Sequence, residues 1–165
     1  KTISNVFRFF NIFERAIGKE QYKYLFKNIL TDNGGEFSDY VKLEKSLFGG
    51  KRNKIYYCDV RESQQKGACE KNHVELRKIL PKGKKISFDM LDNHDMRHLM
   101  SHMNSQPRES LGGKSPIEMF KFIAGEPGTK LIEILGIEEI PFKQLNMRPE
   151  MLNEERRLRG LTPIK

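Results

Sequence analysis

The heptapeptide Thr31-Asp32-Asn33-Gly34-Gly35-Glu36-Phe37 carries the residues of this sequence with the clearest chemical potential. It follows a short apolar run, Ile29-Leu30, that reads as the end of a buried strand. A carboxylate at the carboxyl end of a strand, followed by a glycine turn, is held rigidly while its oxygens face an open crevice. Asp32 is thereby placed to hold a divalent cation. The plainer reading is that Asp32 and Asn33 only make a turn. Glu70 is the second candidate acid, near the start of a later helix. Taken alone it is an ordinary solvated glutamate. Brought beside Asp32 by the fold, the two carboxylates would suit Mg²⁺ or Mn²⁺, which prefer hard oxygen ligands. Two such ions would clamp the attacking and leaving oxygens of a phosphodiester.

These acids need elements to carry them. Ile3, Val6, Phe7, Phe10, Phe13 and Ile17 form a helical stripe over residues 2–17, closed by Gly18. Residues 20–27 read as loop or a short turn, and 28–31 as the strand before Asp32. A helix is expected from Ser38, with Val41, Glu44 and Leu47 on one side and Gly49-Gly50 as its stop. Lys51, Arg52 and Lys54 read as a small basic loop, and 55–58 as a second strand. A helix over about 68–80 carries Glu70, His73 or Val74, and Arg77 on one face, with Leu76, Ile79 and Leu80 toward a core. Another spans about 92–103, with Met96, Leu99, Met100 and Met103 as its apolar side. Residues 104–113 read as loop. Ser115-Pro116 marks a helix start, with the helix ending near Ile123. Residues 125–165 read as an extension rather than a second core, with an exposed charged helix over 149–159.

With 165 residues, 37% hydrophobic and 32% charged, the chain suits one globular domain. No run approaches a membrane span, and no signal peptide is visible. The net charge of +8 favours a polyanionic partner such as nucleic acid. Cys58 and Cys69 lack zinc-site spacing and form no disulfide framework, which points to a reducing cytoplasm. Lys82, Lys84 and Lys85, just past the Glu70 helix, are candidates for phosphate contact. Tyr22, Tyr24, Tyr56 and Tyr57 could stack on bases, although strand packing explains Tyr56 and Tyr57 more simply. His94, His98 and His102 fall at i, i+4, i+8 and could share a face, but no acid or cysteine ligand accompanies them.

Read together, several short strings keep one order: Thr31-Asp32-Asn33-Gly34, Glu36-Phe37, Tyr57-Cys58-Asp59, Gln65-Lys66-Gly67, Glu70, Asn72, Leu76-Arg77 and Pro81-Lys82-Gly83. After them come Asn104, Pro107-Arg108, Leu111-Gly112, Ser115-Pro116 and Phe120. The series resembles the catalytic core of DDE transposases of the IS-thirty insertion-sequence family, within the retroviral-integrase-like group. The likeness covers about residues 1–122, leaving 123–165 as a C-terminal extension. It implies an α/β, ribonuclease-H-like core in which Asp32 and Glu70 are the second and third acids of a triad holding two Mg²⁺ or Mn²⁺ ions. It also implies DNA as partner, with Asn72, Arg77 and Lys82 near the backbone and Lys66, Lys84, Lys85 and Arg108 as further contacts. The implied setting is a bacterial, nucleoid-associated cytoplasmic protein that self-associates at full length and has no membrane role.

The sequence departs from this pattern in places. Lys66 stands where the family usually has arginine, keeping charge but losing a bidentate fork. Cys69 replaces the usual asparagine before the glutamate, and the acid spacing is longer, with the extra residues expected in the 48–54 loop. Asp59 and Asp89 have no assignable place in the triad. In the family the first acid lies on a strand before the helix at 2–17. That strand, its antiparallel neighbours and a helix-turn-helix domain have no counterpart here. The expectation is a C-terminal fragment, truncated before the first strands, with an incomplete metal site, inactive and marginally stable alone. The alternative is a non-catalytic DNA-binding remnant of a decayed element.

Overall fold

The structure, a computed structural model, describes residues 2–59, 67–81 and 88–164. Among these the chain is mixed α/β and mostly helical, with one two-stranded sheet. It divides into two compact units, Lys1–Gly67 and Ala68–Lys165. No helix among the described residues is long and apolar enough to cross a membrane.

The first unit opens with α1, Ile3–Ile17, where the aromatic stripe predicts it. Thr2 caps it by accepting the Asn5 N–H, and Gly18 closes it at φ +82°, a conformation glycine adopts without strain. Residues 20–27, expected as loop or a short turn, contribute to a two-turn helix, α2, Lys19–Leu25. Burial of one aromatic decides this. Tyr22 is enclosed, with ring centroids 6.3 Å from Phe10 and 5.0 Å from Phe26, and tertiary packing overrides weak local propensity. Strand β1, Asn28–Thr31, runs parallel to β2, Lys54–Tyr57, with Ile29 opposite Ile55 and Leu30 opposite Tyr56. Side chains alternate across the pair. Ile55 and Thr31 are buried on the covered face, while Leu30 and Tyr56 are exposed. β1 is therefore half-covered rather than a buried strand.

The next helix, α3, is a short Tyr40–Glu44 capped by Asp39, not Ser38. Its inward residues are Leu43 and Glu44, whereas Val41 faces outward. The helix stops at Lys45 because the chain reverses through Gly49 and Gly50, both at positive φ, to bridge Lys45 with Lys51. Arg52, expected on a basic surface loop, is fully buried. Its guanidinium bonds Asn11 Oδ1 at 2.7 Å and Glu14 Oε2 at 3.2 Å, and lies 5.3–5.8 Å from the ring centroids of Phe7, Phe10 and Tyr22.

The second unit contains α4 (Gly67–Ile79), α5 (Asn93–Ser105), α6 (Pro116–Leu135) and α7 (Pro149–Leu158). α6 begins with the expected Ser115 cap, completed by Glu118. The break expected near Ile123 falls at Gly125, φ +56° and ψ −141°, after which helix resumes to Leu135. The apolar core joins Ile79 and Leu80 of α4, Leu99 and Met103 of α5, Met151 and Leu152 of α7, and Ile164. Residues 149–164 are therefore part of this core, which corrects their reading as an exposed extension. Arg156, buried, donates to Asp95 of α5 and to the Met90 and Thr162 carbonyls, fixing α7 in place.

Candidate functional site

The Thr31–Phe37 segment is held by both strands. Thr31 is buried, and its carbonyl accepts the Cys58 N–H at 2.8 Å. Asp32, the first residue beyond β1, is exposed, and its Oδ1 accepts the Gly34 N–H at 3.3 Å. Gly35–Phe37 makes one 3₁₀ turn. The Tyr57 hydroxyl donates to the Phe37 carbonyl at 2.5 Å, tying this turn to β2. Burial, then the neighbouring Tyr40, Glu44 and Asp39, push the Tyr57 hydroxyl above its ordinary pKa, so it stays a donor.

Gly34 explains a convergence that the spacing alone leaves unseen. A Cβ at this position would lie 2.9 Å from Glu36 Oε2 and 3.0 Å from Asp32 Oδ1. Two carboxylate oxygens thus flank one small space that glycine leaves open. Glu36 stands in the motif, yet nothing in its i+4 spacing from Asp32 signals this approach, since the intervening turn is not α-helical.

Glu70 is exposed in the first turn of α4. It belongs to the second unit and Asp32 to the first. Asn72, two residues further along α4, accepts from Arg108 Nη1 at 2.7 Å, joining two predicted contact residues 36 positions apart. Arg77 donates to the Leu80 carbonyl at 3.4 Å and lies 5.8 Å from the Phe88 ring. Lys66, Lys82, Lys84 and Lys85 lie outside the described residues.

The three histidines do not share a free face. His94 approaches Glu155 at 3.6 Å, while His98 and His102 meet edge to face at 4.8 Å. His102 is buried and its Nδ1 accepts the Asn146 N–H at 3.2 Å. Burial, then the adjacent His98, push its pKa below the ordinary value. Among the described residues, no three His, Cys, Asp or Glu side chains gather as they would around a metal ion. Cys58 and Cys69 are free thiols. Tyr22 is unavailable for stacking because it is buried, whereas Tyr24 and Tyr56 are exposed. Lys54 Nζ sits 4.9 Å from the Tyr56 ring centroid.

Two hollows mark the second unit. The larger, about 640 Å³, runs along 143–148, where Lys143 and Arg148 are offset by Glu150 and Glu154. The smaller, about 330 Å³, lies between α4 and the 106–110 loop and includes Lys71 and Arg108.

The chain is similar to the transposase for insertion sequence element IS4351 of Bacteroides fragilis, with 32% identity over 104 residues, 63% of this chain and 30% of that protein. It is also similar to the transposase for insertion sequence element IS1086 of Cupriavidus metallidurans, with 28% identity over 100 residues, 61% of this chain and 28% of that protein. The chain thus matches less than a third of the length of either relative. No family model matches the chain, and no solved structure matches it significantly.

Proposed function

We propose that this chain forms part of the core of a DNA transposase of the DDE class, of the IS-thirty type, built on a ribonuclease-H-like fold. The observation that carries the reading is the 32% identity to the IS4351 transposase across 63% of the chain. Asp32 at the carboxyl end of a parallel strand supports it, since ligands bind at that edge in α/β sheets.

Asp32 and Glu70 are the residues that would hold Mg²⁺ or Mn²⁺. The donor set fits hard cations: both side chains are exposed carboxylates, and the space that a Cβ at Gly34 would fill stays open beside Asp32. When bound, the ions supply charge neutralisation at a phosphodiester and activation of the attacking oxygen. The chain's own part is to hold the acids just beyond β1 and on α4 and to keep the Asp32 turn rigid through the Tyr57–Phe37 bond. Arg77 and Arg108 hold the DNA backbone, with Asn72 bonded to Arg108. In the complete reaction water cleaves the transposon end, and the freed 3′-hydroxyl then attacks target DNA.

The test is cleavage of element-end DNA by the full-length gene product in Mg²⁺. Asp32→Asn and Glu70→Gln should each lower cleavage at least a hundredfold while leaving DNA affinity unchanged or stronger, because each removes negative charge. Cleavage that survives both changes would refute the assignment. DNA binding without cleavage by the wild type would favour the non-catalytic remnant.

A further inference from the structure

The geometry points to a seat for one DNA backbone phosphate in the cleft between α4 and the 106–114 loop, formed by Arg108 and Lys71, with Asn72 serving to aim Arg108. This deepens, and rests on, the reading of the chain as a DNA-handling protein. It gives Asn72 a different part from direct contact with DNA.

The loop that carries Arg108 is closed on itself. The Arg108 N–H bonds the Lys114 carbonyl at 3.0 Å, and the Arg108 carbonyl accepts from Leu111 at 2.9 Å and Gly113 at 3.0 Å. Gly112 and Gly113 make this return possible, at φ +62° and +81°. Both backbone groups of Arg108 are thus committed, and its Cα is fixed. The side chain then crosses to α4, where Nη1 donates to Asn72 Oδ1 at 2.7 Å. One N–H of the guanidinium is spent on a neutral amide, so its charge remains whole and its other donors can meet an anion.

Lys71 lies beside it on the same cleft. The cleft also holds one carboxylate, Glu75, but both its oxygens receive Lys78 Nζ at 2.7 Å. The lining charge available to a ligand is therefore positive. A volume of about 330 Å³ is at the lower end for ligand pockets. It suits one phosphodiester of a passing backbone. Such contacts position a duplex and carry no sequence information.

The experiment is a fluorescence-anisotropy titration of a short mixed-sequence duplex with the purified chain, repeated across a salt series. Each phosphate contact contributes about 0.9 to the slope of log K against log salt. The Arg108→Ala/Lys71→Ala double variant should therefore lower the slope by about 0.9, with each single variant losing part of that. Asn72→Ala should weaken binding severalfold, and the Asn72→Ala/Arg108→Ala pair should bind no more weakly than Arg108→Ala alone. Arg108→Lys should keep the wild-type slope, since charge is retained while the guanidinium N–H bonded to Asn72 is lost. Thermal melting checks that the variants fold. Wild-type slopes in both alanine variants would overturn the seat. Additive losses for Asn72 and Arg108 would overturn the aiming role. If the wild-type chain binds DNA and only these variants fail to respond, this inference falls alone. If the wild type binds no DNA, the transposase reading falls with it.

Discussion

Arg52 and Gly34 show how differently single residues can matter in the first unit. Arg52 is one of three basic residues in Lys51-Arg52-Asn53-Lys54, and nothing in that string separates it from its exposed neighbours. In the fold it is the buried partner of Glu14, which also accepts from Ser46 Oγ at 2.5 Å and from the Leu47 N–H at 2.9 Å. Arg52→Met leaves a buried carboxylate unpaired and should cost about 3–5 kcal/mol in urea unfolding. The Glu14→Gln/Arg52→Met pair should recover part of this, because no buried charge is left unpaired and the glutamine oxygen can still accept the Leu47 N–H while its NH2 donates to Ser46 Oγ. Gly34 has ordinary extended backbone, φ −63° and ψ 143°, so an L-residue fits without strain. Gly34→Ala should therefore change the melting temperature by no more than about 2 °C. Its methyl group must displace the ends of the Asp32 and Glu36 side chains. Mn²⁺ affinity measured by calorimetry should fall severalfold. Unchanged Mn²⁺ binding would remove the space beside Gly34 from the proposed site.

At the scale of elements, α5 organises the second unit by accepting backbone N–H groups from the chain that passes over it. Ser101 Oγ takes that of Glu138 at 2.9 Å, Ser105 Oγ that of Ile140 at 2.9 Å, and His102 Nδ1 that of Asn146 at 3.2 Å. His102 can accept only while its imidazole is neutral. Its folded-state pKa lies below the ordinary 6.5, first through burial and then through His98. The unfolded chain therefore binds more protons in the window just below pH 6.5, and stability rises with pH there. The His102 contribution is complete above about pH 6.5 and fades as pH drops through the lowered folded value. Urea midpoints measured from pH 8 to pH 5 should decline accordingly. His102→Asn, which keeps an acceptor without the titration, should flatten the decline. The sequence shows α5 by its apolar side chains, but only Leu99 and Met103 are buried while Met96 is exposed. The polar straps Ser101, His102 and Ser105 lie off the apolar positions, where periodicity carries no information.

For the molecule as a whole, the decisive feature is that its C-terminal residues complete a core. Met151, Leu152 and Ile164 join α4 and α5, and Asn153 pairs with the backbone of Ile164 in both directions, at 2.7 and 3.2 Å. Ending the chain after Arg148 would remove three buried apolar side chains, each worth about 1.5–3 kcal/mol. It would also strip Asp95 of Arg156 and Arg159, a loss of about 3–5 kcal/mol for a buried charge left unpaired. Together these approach or exceed the roughly 5–15 kcal/mol stability of a domain. The truncated chain should lose the near-ultraviolet circular dichroism of this unit and become protease-sensitive between residues 68 and 148. A truncated chain that still unfolds cooperatively in that region would contradict this account.

What the sequence determined by itself was local: α1 from its aromatic stripe, the Gly18 stop, the Ser115 cap, both strands, and Asp32 at a strand end. Each depends on residues within a few positions of one another, where backbone propensity and side-chain period act directly. The helix at 19–25, the burial of Arg52, the nearness of Glu36 to Asp32, the Asn72–Arg108 bond and the place of α7 in the core were decided by the tertiary structure. Apart from the Asp32–Glu36 approach, which the local 3₁₀ turn sets, the favourable term in each case, burial of a ring, pairing of a charge or removal of apolar surface from water, exists only once distant segments meet.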